Sequence, residues 1–190
     1  MRIIINLTKI QNDNRLRLAT LLNKIPNKDH PRGWKKVTTL AVGGLTEIGF
    51  SKVTNQLLII STSGRSLINC INGERLARDY DEDGDWYDPI NLTCQGIGPI
   101  ADENILIAGL HGGGLLKCNQ YGESLELTSL QWPVDDIYFC PIGKSIFTEH
   151  LQTDCCRIFS DYVRCYGFSW HGRFIVIATS SDVTIWQRLE

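Results

Sequence analysis

The densest chemistry in this chain of 190 residues lies between Asp79 and Asp88, where six acids stand in ten residues: Asp79-Tyr80-Asp81-Glu82-Asp83-Gly84-Asp85-Trp86-Tyr87-Asp88. Oxygen ligands at alternate positions with a glycine at the bend suit calcium, because the chain must curl around a cation that takes about six to eight oxygens. Asp79, Asp81, Asp83 and Asp85 are the calcium candidates on that reading, with Gly84 at the bend. The second half of the loop departs from the pattern. Ile90 stands where a bidentate carboxylate should close the site, and Tyr87 stands where another oxygen ligand is expected. A second reading makes the segment a recognition surface for a basic partner, in which Asp81, Asp83, Asp85 and Asp88 steer the approach and Trp86 and Tyr87 anchor it. A third makes it a solvated connection.

The remaining reactive side chains form no recognisable site. His111-Gly112-Gly113-Gly114 resembles the oxyanion loop of lipases and esterases, but the G-x-S-x-G elbow that must accompany it is absent. Those glycines read instead as a hairpin turn that needs positive φ. His150, Cys155, Cys156 and His171 have no spacing of a common zinc frame. The seven cysteines are odd in number and contain no C-x-x-C, so they read as small buried hydrophobes in a reducing compartment. Neither phosphate-binding glycine motif occurs, and Gly96-Ile97-Gly98 runs into Pro99. A non-enzyme without a cofactor, calcium aside, is expected.

Net charge is −2, but it is unevenly spread. The first 36 residues hold nine Lys and Arg against Asp13 and Asp29, a net of +7, and the remaining 154 carry −9. Such a basic arm either lies on its own acidic body or reaches a polyanion or an acidic protein face. Nucleic-acid or ribonucleoprotein binding would use Arg15, Arg17, Lys24, Lys28, Arg32, Lys35 and Lys36. No RNA-binding signature or aromatic stacking platform accompanies them, which favours self-association or a protein partner.

The elements that must position these groups change character along the chain. Leu18, Leu21, Leu22 and Ile25 mark one helical face, with Asp13 or Asn14 as its cap and Pro26 as its stop. PNKDHPRG, 26–33, is a linker. From Val37 onward short apolar runs rich in Ile, Val, Thr and Leu alternate with turn residues, the pattern of an all-β domain. The expected division is a basic arm over 1–36 and a β domain over 37–190. No run approaches the ~18 apolar residues of a membrane span, and the N-terminal isoleucines are interrupted by Asn6 and Lys9, so a cytoplasmic protein is expected.

An internal repeat is present. Residues 47–70, EIGFSKVTNQLLIISTSGRSLINC, and 165–186, CYGFSWHGRFIVIATSSDVTIW, share Gly-Phe-Ser, a polar turn, an apolar strand (57–60; 174–177), a Thr-Ser turn and a second strand. Their offset is close to three units of about 40 residues, the length of a propeller blade. Weaker copies are expected at 104–108 with 115–118 and at 145–148 with 156–159. Residues 172–188, GRFIVIATSSDVTIWQR, resemble the strand-turn-strand core of a WD40-type blade, with Asp182, Thr184 and Trp186 near that family's Asp-Gly-Thr and Trp. Residues 45–79 are similar to the same blade, and to propeller-like repeats of uncharacterised bacterial proteins. The family's Gly-His and Trp-Asp dipeptides are absent. The resemblance implies a small β-propeller-like repeat of about four blade units preceded by a short helix-containing arm.

The last unit ends without an outer strand, so 3–7 or 36–40 is expected to cover that edge, since a bare edge invites aggregation. The function implied is a protein-protein interaction module that docks a partner or subunit through loops between blades. The alternatives are nucleic-acid binding through the arm and a hydrolase whose site is assembled from distant loops.

Overall fold

The computed structural model describes residues 7–81 and 85–190. It is mostly β, with one α-helix and four antiparallel sheets. The first sheet holds β2 (Leu45–Phe50), β3 (Gln56–Ser61), β4 (Gly64–Asn69) and β5 (Arg75–Asp79) in order, with the short β9 (Ala108–Gly109) on the free side of β2. The second is β6 (Tyr87–Asp88), β7 (Thr93–Gln95) and β8 (Asn104–Leu106). The third is β10 (Ser124–Gln131), β11 (Val134–Cys140) and β12 (Cys156–Asp161). The fourth is β13 (Cys165–Phe168), β14 (Phe174–Ala178) and β15 (Asp182–Arg188), with β1 (Trp34–Ala41) outside β15.

Period-two alternation explains why these strands read as unbroken apolar runs. In β3, Leu57 and Ile59 pack toward the fourth sheet while Leu58 and Ile60 pack toward the second. In β14, Phe174, Val176 and Ala178 meet the first sheet while Ile175 and Ile177 meet the third. Strands buried on both faces must be apolar at every position. The shared clusters therefore give the packing order third, fourth, first, second. Among the described residues no cluster joins the second sheet to the third.

The helix α1 (Lys9–Leu22) lies on the other face of the third sheet, where Leu22 and Ile25 meet Tyr138, Cys140, Ile146 and Cys155. Its cap differs from the expected Asp13 or Asn14, which lie inside the helix. Thr8 accepts from the Gln11 amide and the Gln11 side chain reaches back to the Thr8 amide, a reciprocal pair that satisfies two free donors.

The edge of the last unit is covered as expected from the N-terminal side. The 36–40 segment lies within β1, which pairs with β15 from Trp34↔Arg188 to Ala41↔Asp182. The 36/37 boundary thus falls inside a strand. Of the other candidate, 3–7, only Leu7 is among the described residues. The weaker repeat copies hold by half: 104–106 lie in β8 and 156–159 in β12, but the strands expected to pair with them do not form. Residues 145–148 form a turn, and 115–118 make only isolated bridges to Phe168 and Ser124. The third sheet is built instead from β10, β11 and β12, in which the partly buried Glu126, Asp135 and Asp136 dilute the apolar signal. No helix among the described residues is long and apolar enough to cross a membrane.

Candidate functional site

The acidic-aromatic segment begins where β5 ends, against the edge of the first sheet. Gly64 makes this approach tight: a Cβ there would stand 2.2 Å from the Asp79 carbonyl oxygen. Arg65 on β4 is only 6% exposed and ties the segment down. Its guanidinium donates to the Asp79 carboxylate and, at 2.8 Å, to the Gln95 carbonyl. It also lies 4.3 Å from the ring centre of Trp86. Trp86 is accordingly half-buried, and with Tyr87 it packs on the cluster containing Leu58, Leu67, Cys94 and Ile105. Its indole nitrogen is buried and has no hydrogen-bond partner among the described residues.

Tyr87 leads to Glu47, which the sequence does not single out, and to His111, which it offers only as the start of a glycine turn. Glu47 stands on β2 among buried neighbours, with its side chain 2% exposed. Strand β9 pairs Gly109 with Glu47, and a side chain at Gly109 would collide with the Thr46 carbonyl, 2.1 Å from a Cβ. The turn that follows, closed between Gly109 and Gly112, sets His111 over Glu47. His111 Nδ1 is hydrogen-bonded to Glu47 Oε1, and the Tyr87 hydroxyl stands 2.9 Å from the same nitrogen. Because a carboxylate only accepts, the hydrogen bond to Glu47 is donated by His111 Nδ1. Burial and the neighbouring Glu47 charge push the Tyr87 phenol up to about 12, so it stays protonated at neutral pH. Glu47, His111, Tyr87, Trp86, Thr62 and Asp81 line a cleft of about 240 Å³.

The other candidate residues are distributed as follows. Asp81 is exposed at the cleft rim, and its amide donates to Asp79 Oδ1. Asp85 is exposed on a neighbouring cleft with Glu103. Asp88 is turned onto its own loop: it accepts from the Asn91 amide and side chain and then from the Ile90 amide, which hold its carboxyl below the usual range. Asp83 lies outside the described residues. For calcium, Asp79 has both oxygens engaged, by the Asp81 amide and by Arg65, and these keep it ionised to lower pH than usual. Among the described residues no three His, Cys, Asp or Glu side chains converge as a metal site.

The basic arm lies against its own body. Arg15 donates to the Leu130 carbonyl, Lys24 pairs with Glu149 at 2.6 Å, and the Lys28 amide bonds the Arg157 carbonyl. Lys36 faces Asp29 of the arm itself at 3.6 Å. Arg17, Arg32 and Lys35 are exposed and enter no ion pair among the described residues. Cys155 and Cys156 point to opposite faces of the third sheet, and His150 is exposed on a separate turn.

The signal for Glu47 was a lone charge inside the strand LTEIGF. That for His111 was the glycine run itself, correctly read as a turn but not as a platform. No family model matches this chain, and no curated protein matches it.

Proposed function

We propose that this chain is a propeller-like, WD40-like interaction module that docks a protein partner by receiving a cationic side chain in the cleft beside Trp86. The observation that carries this reading is a nearly buried carboxylate, Glu47, in a cleft lined by the Trp86 indole and the Tyr87 phenol, with Asp81 at the rim. A carboxylate stripped of most of its water attracts an incoming ammonium or guanidinium more strongly than a solvated one does. The Trp86 indole, held in place by the Arg65 guanidinium 4.3 Å from its centre, offers its exposed edge as apolar contact for the incoming side chain. Four sheets packed face to face, with an N-terminal strand completing the last, support the propeller-like part of the reading.

The test is titration of a Lys- and Arg-rich peptide, followed by calorimetry and Trp fluorescence. Trp86→Ala should weaken binding about thirtyfold, the effect of losing roughly 2 kcal/mol at a hot spot. Glu47→Gln should weaken it while leaving the melting temperature near that of the wild type, and Asp81→Lys should act through the association rate. Unchanged affinity in Trp86→Ala would overturn the proposal. Arg17, Arg32 and Lys35 support the second reading, nucleic-acid binding. It predicts a log-log salt slope of about −0.7 to −0.9 per phosphate contacted, lost on charge reversal of those three.

A further inference from the structure

Seven cysteines are free, and two of them face each other. The register of β11 and β12 pairs Tyr138 with Arg157 and Phe139 with Cys156. Continued one step past the start of β12, that register would set Cys140 opposite Cys155, and the two thiols are in hydrogen-bond contact. Alternation puts both side chains on the α1 face: Phe139 and Cys156 pack toward the fourth sheet, whereas Cys140 and Cys155 share the cluster with Leu22, Ile25 and Ile146. Opposed residues of an antiparallel pair have Cα atoms roughly 4.5–5.5 Å apart, inside the range that a disulfide spans. We propose that Cys140 and Cys155 are a redox modification site, closing to a reversible disulfide on reaction with a hydroperoxide.

The surroundings favour attack from one side. The Cys140 thiol hydrogen-bonds Cys155, holding the Cys155 thiol below its ordinary range and, with burial, pushing Cys140 above it. Among the described residues none of the other buried cysteines hydrogen-bonds a second thiol, though Arg65 lies beside Cys94. Burial pushes Cys94, Cys156 and Cys165 up to about 11, and Cys70 further still. Cys118 is exposed. Asp154, next to Cys155, holds a left-handed backbone with φ of 65°, a conformation that Asp tolerates better than most residues. Of the charges that act on Cys155, Glu126 and Asp154 push its thiol up and Lys144 pulls it down.

The chemistry balances without a cofactor. The Cys155 thiolate attacks the peroxide, the O–O bond breaks, and a sulfenic acid forms with release of one hydroxide, which takes up a proton as water. The Cys140 sulfur then attacks the Cys155 sulfur, the S–O bond breaks, and a second water leaves. Two thiol hydrogens and two electrons pass to one peroxide.

The experiment treats the full chain with equimolar hydrogen peroxide and reads it by thiol titration under denaturing conditions and by non-reducing peptide mass spectrometry. Titratable thiols should fall by two from seven, with a peptide crosslinked through Cys140 and Cys155 that dithiothreitol releases. In Cys140→Ala the sulfenic acid on Cys155 should persist and be trapped by dimedone. Should that variant fail to fold, phenylarsine oxide, which needs two close thiols, should bind wild type one to one and block the crosslink. Loss of Cys118 alone, a bridge between other cysteines, or peroxide treatment that leaves Cys155 a free thiol would overturn the proposal.

Discussion

The first and fourth sheets share a turn and differ in the origin of their outer strand. In both, the inner strand ends in Gly-Phe-Ser, and the serine hydroxyl is buried and accepts amides just beyond it. Ser51 takes those of Val53 and Thr54, and Ser169 takes that of Phe174. In both, the glycine is required by close approach. A Cβ at Gly49 would stand 2.5 Å from the Leu106 carbonyl, and one at Gly167 would stand 2.4 Å from the Leu115 side chain. The two turns touch, since the Trp170 indole donates to the Phe50 carbonyl at 3.1 Å. Yet β5 follows β4 directly, whereas β1 reaches β15 from the far end of the chain. The inner strands are thus a local unit, while the outer position is filled from the next stretch of chain in one sheet and from the far end of the chain in the other. Loop-closure entropy grows only slowly with length, so the distant strand costs little extra.

The largest effect should come from removing that distant strand. Deleting 1–41 bares the edge of β15 and takes away Trp34, which is buried against Phe139 and Phe168. The truncated chain should be insoluble, whereas deleting 1–22 should leave a folded domain. Trp34→Ala in the full chain should cost about 3–5 kcal/mol in urea unfolding. If the outer strand were dispensable, the two truncations would behave alike.

Next in size are the paired glycines. Gly49→Ala and Gly167→Ala should each cost about 1–3 kcal/mol, the usual penalty of overpacking, and by similar amounts if the two turns are equivalent. A clear inequality in denaturant midpoints would show that one inner segment yields and the other does not.

The smallest effect separates the two turns by pH. Ser51 faces Glu103, but Ser169 faces His171, whose ring is held below its ordinary pKa by burial and then by Arg173. A base depressed in the folded state contributes stability that is complete above its unfolded pKa, roughly 6.5, and is lost as pH falls through the lower folded value. Between about pH 7 and pH 5 the wild type should therefore lose stability, and His171→Gln should flatten that part of the curve. Parallel curves would show that His171 does not report on the turn.

Much of this fold was legible because its signals are short-range. QLLIIS and FIVIA announce strands buried on both faces, Gly-Phe-Ser announces the turn twice, and the missing outer strand was foreseeable from a unit that stops at Trp186. The third sheet was not legible as a unit, because the adjacent Asp135 and Asp136 stand at the start of β11 and polar residues such as Glu126, Thr128 and Ser129 interrupt β10. The cleft was half legible. Trp86, Tyr87 and Asp81 were named, but their meeting with Glu47 and His111 depends on β9 crossing β2, a pairing with no local signature.

By itself, then, the sequence determined an all-β chain, the period of its strands, the turns of its repeat and the uneven charge, since propensity, alternation and turn chemistry act over a few residues. Only the tertiary structure decided that the basic arm folds back on its own body, that Glu47 lies beneath His111, and which two of seven cysteines stand face to face. Those are contacts between residues far apart in the chain, set by which sheet packs on which. That order comes from the summed burial of whole faces, which no single stretch of sequence records.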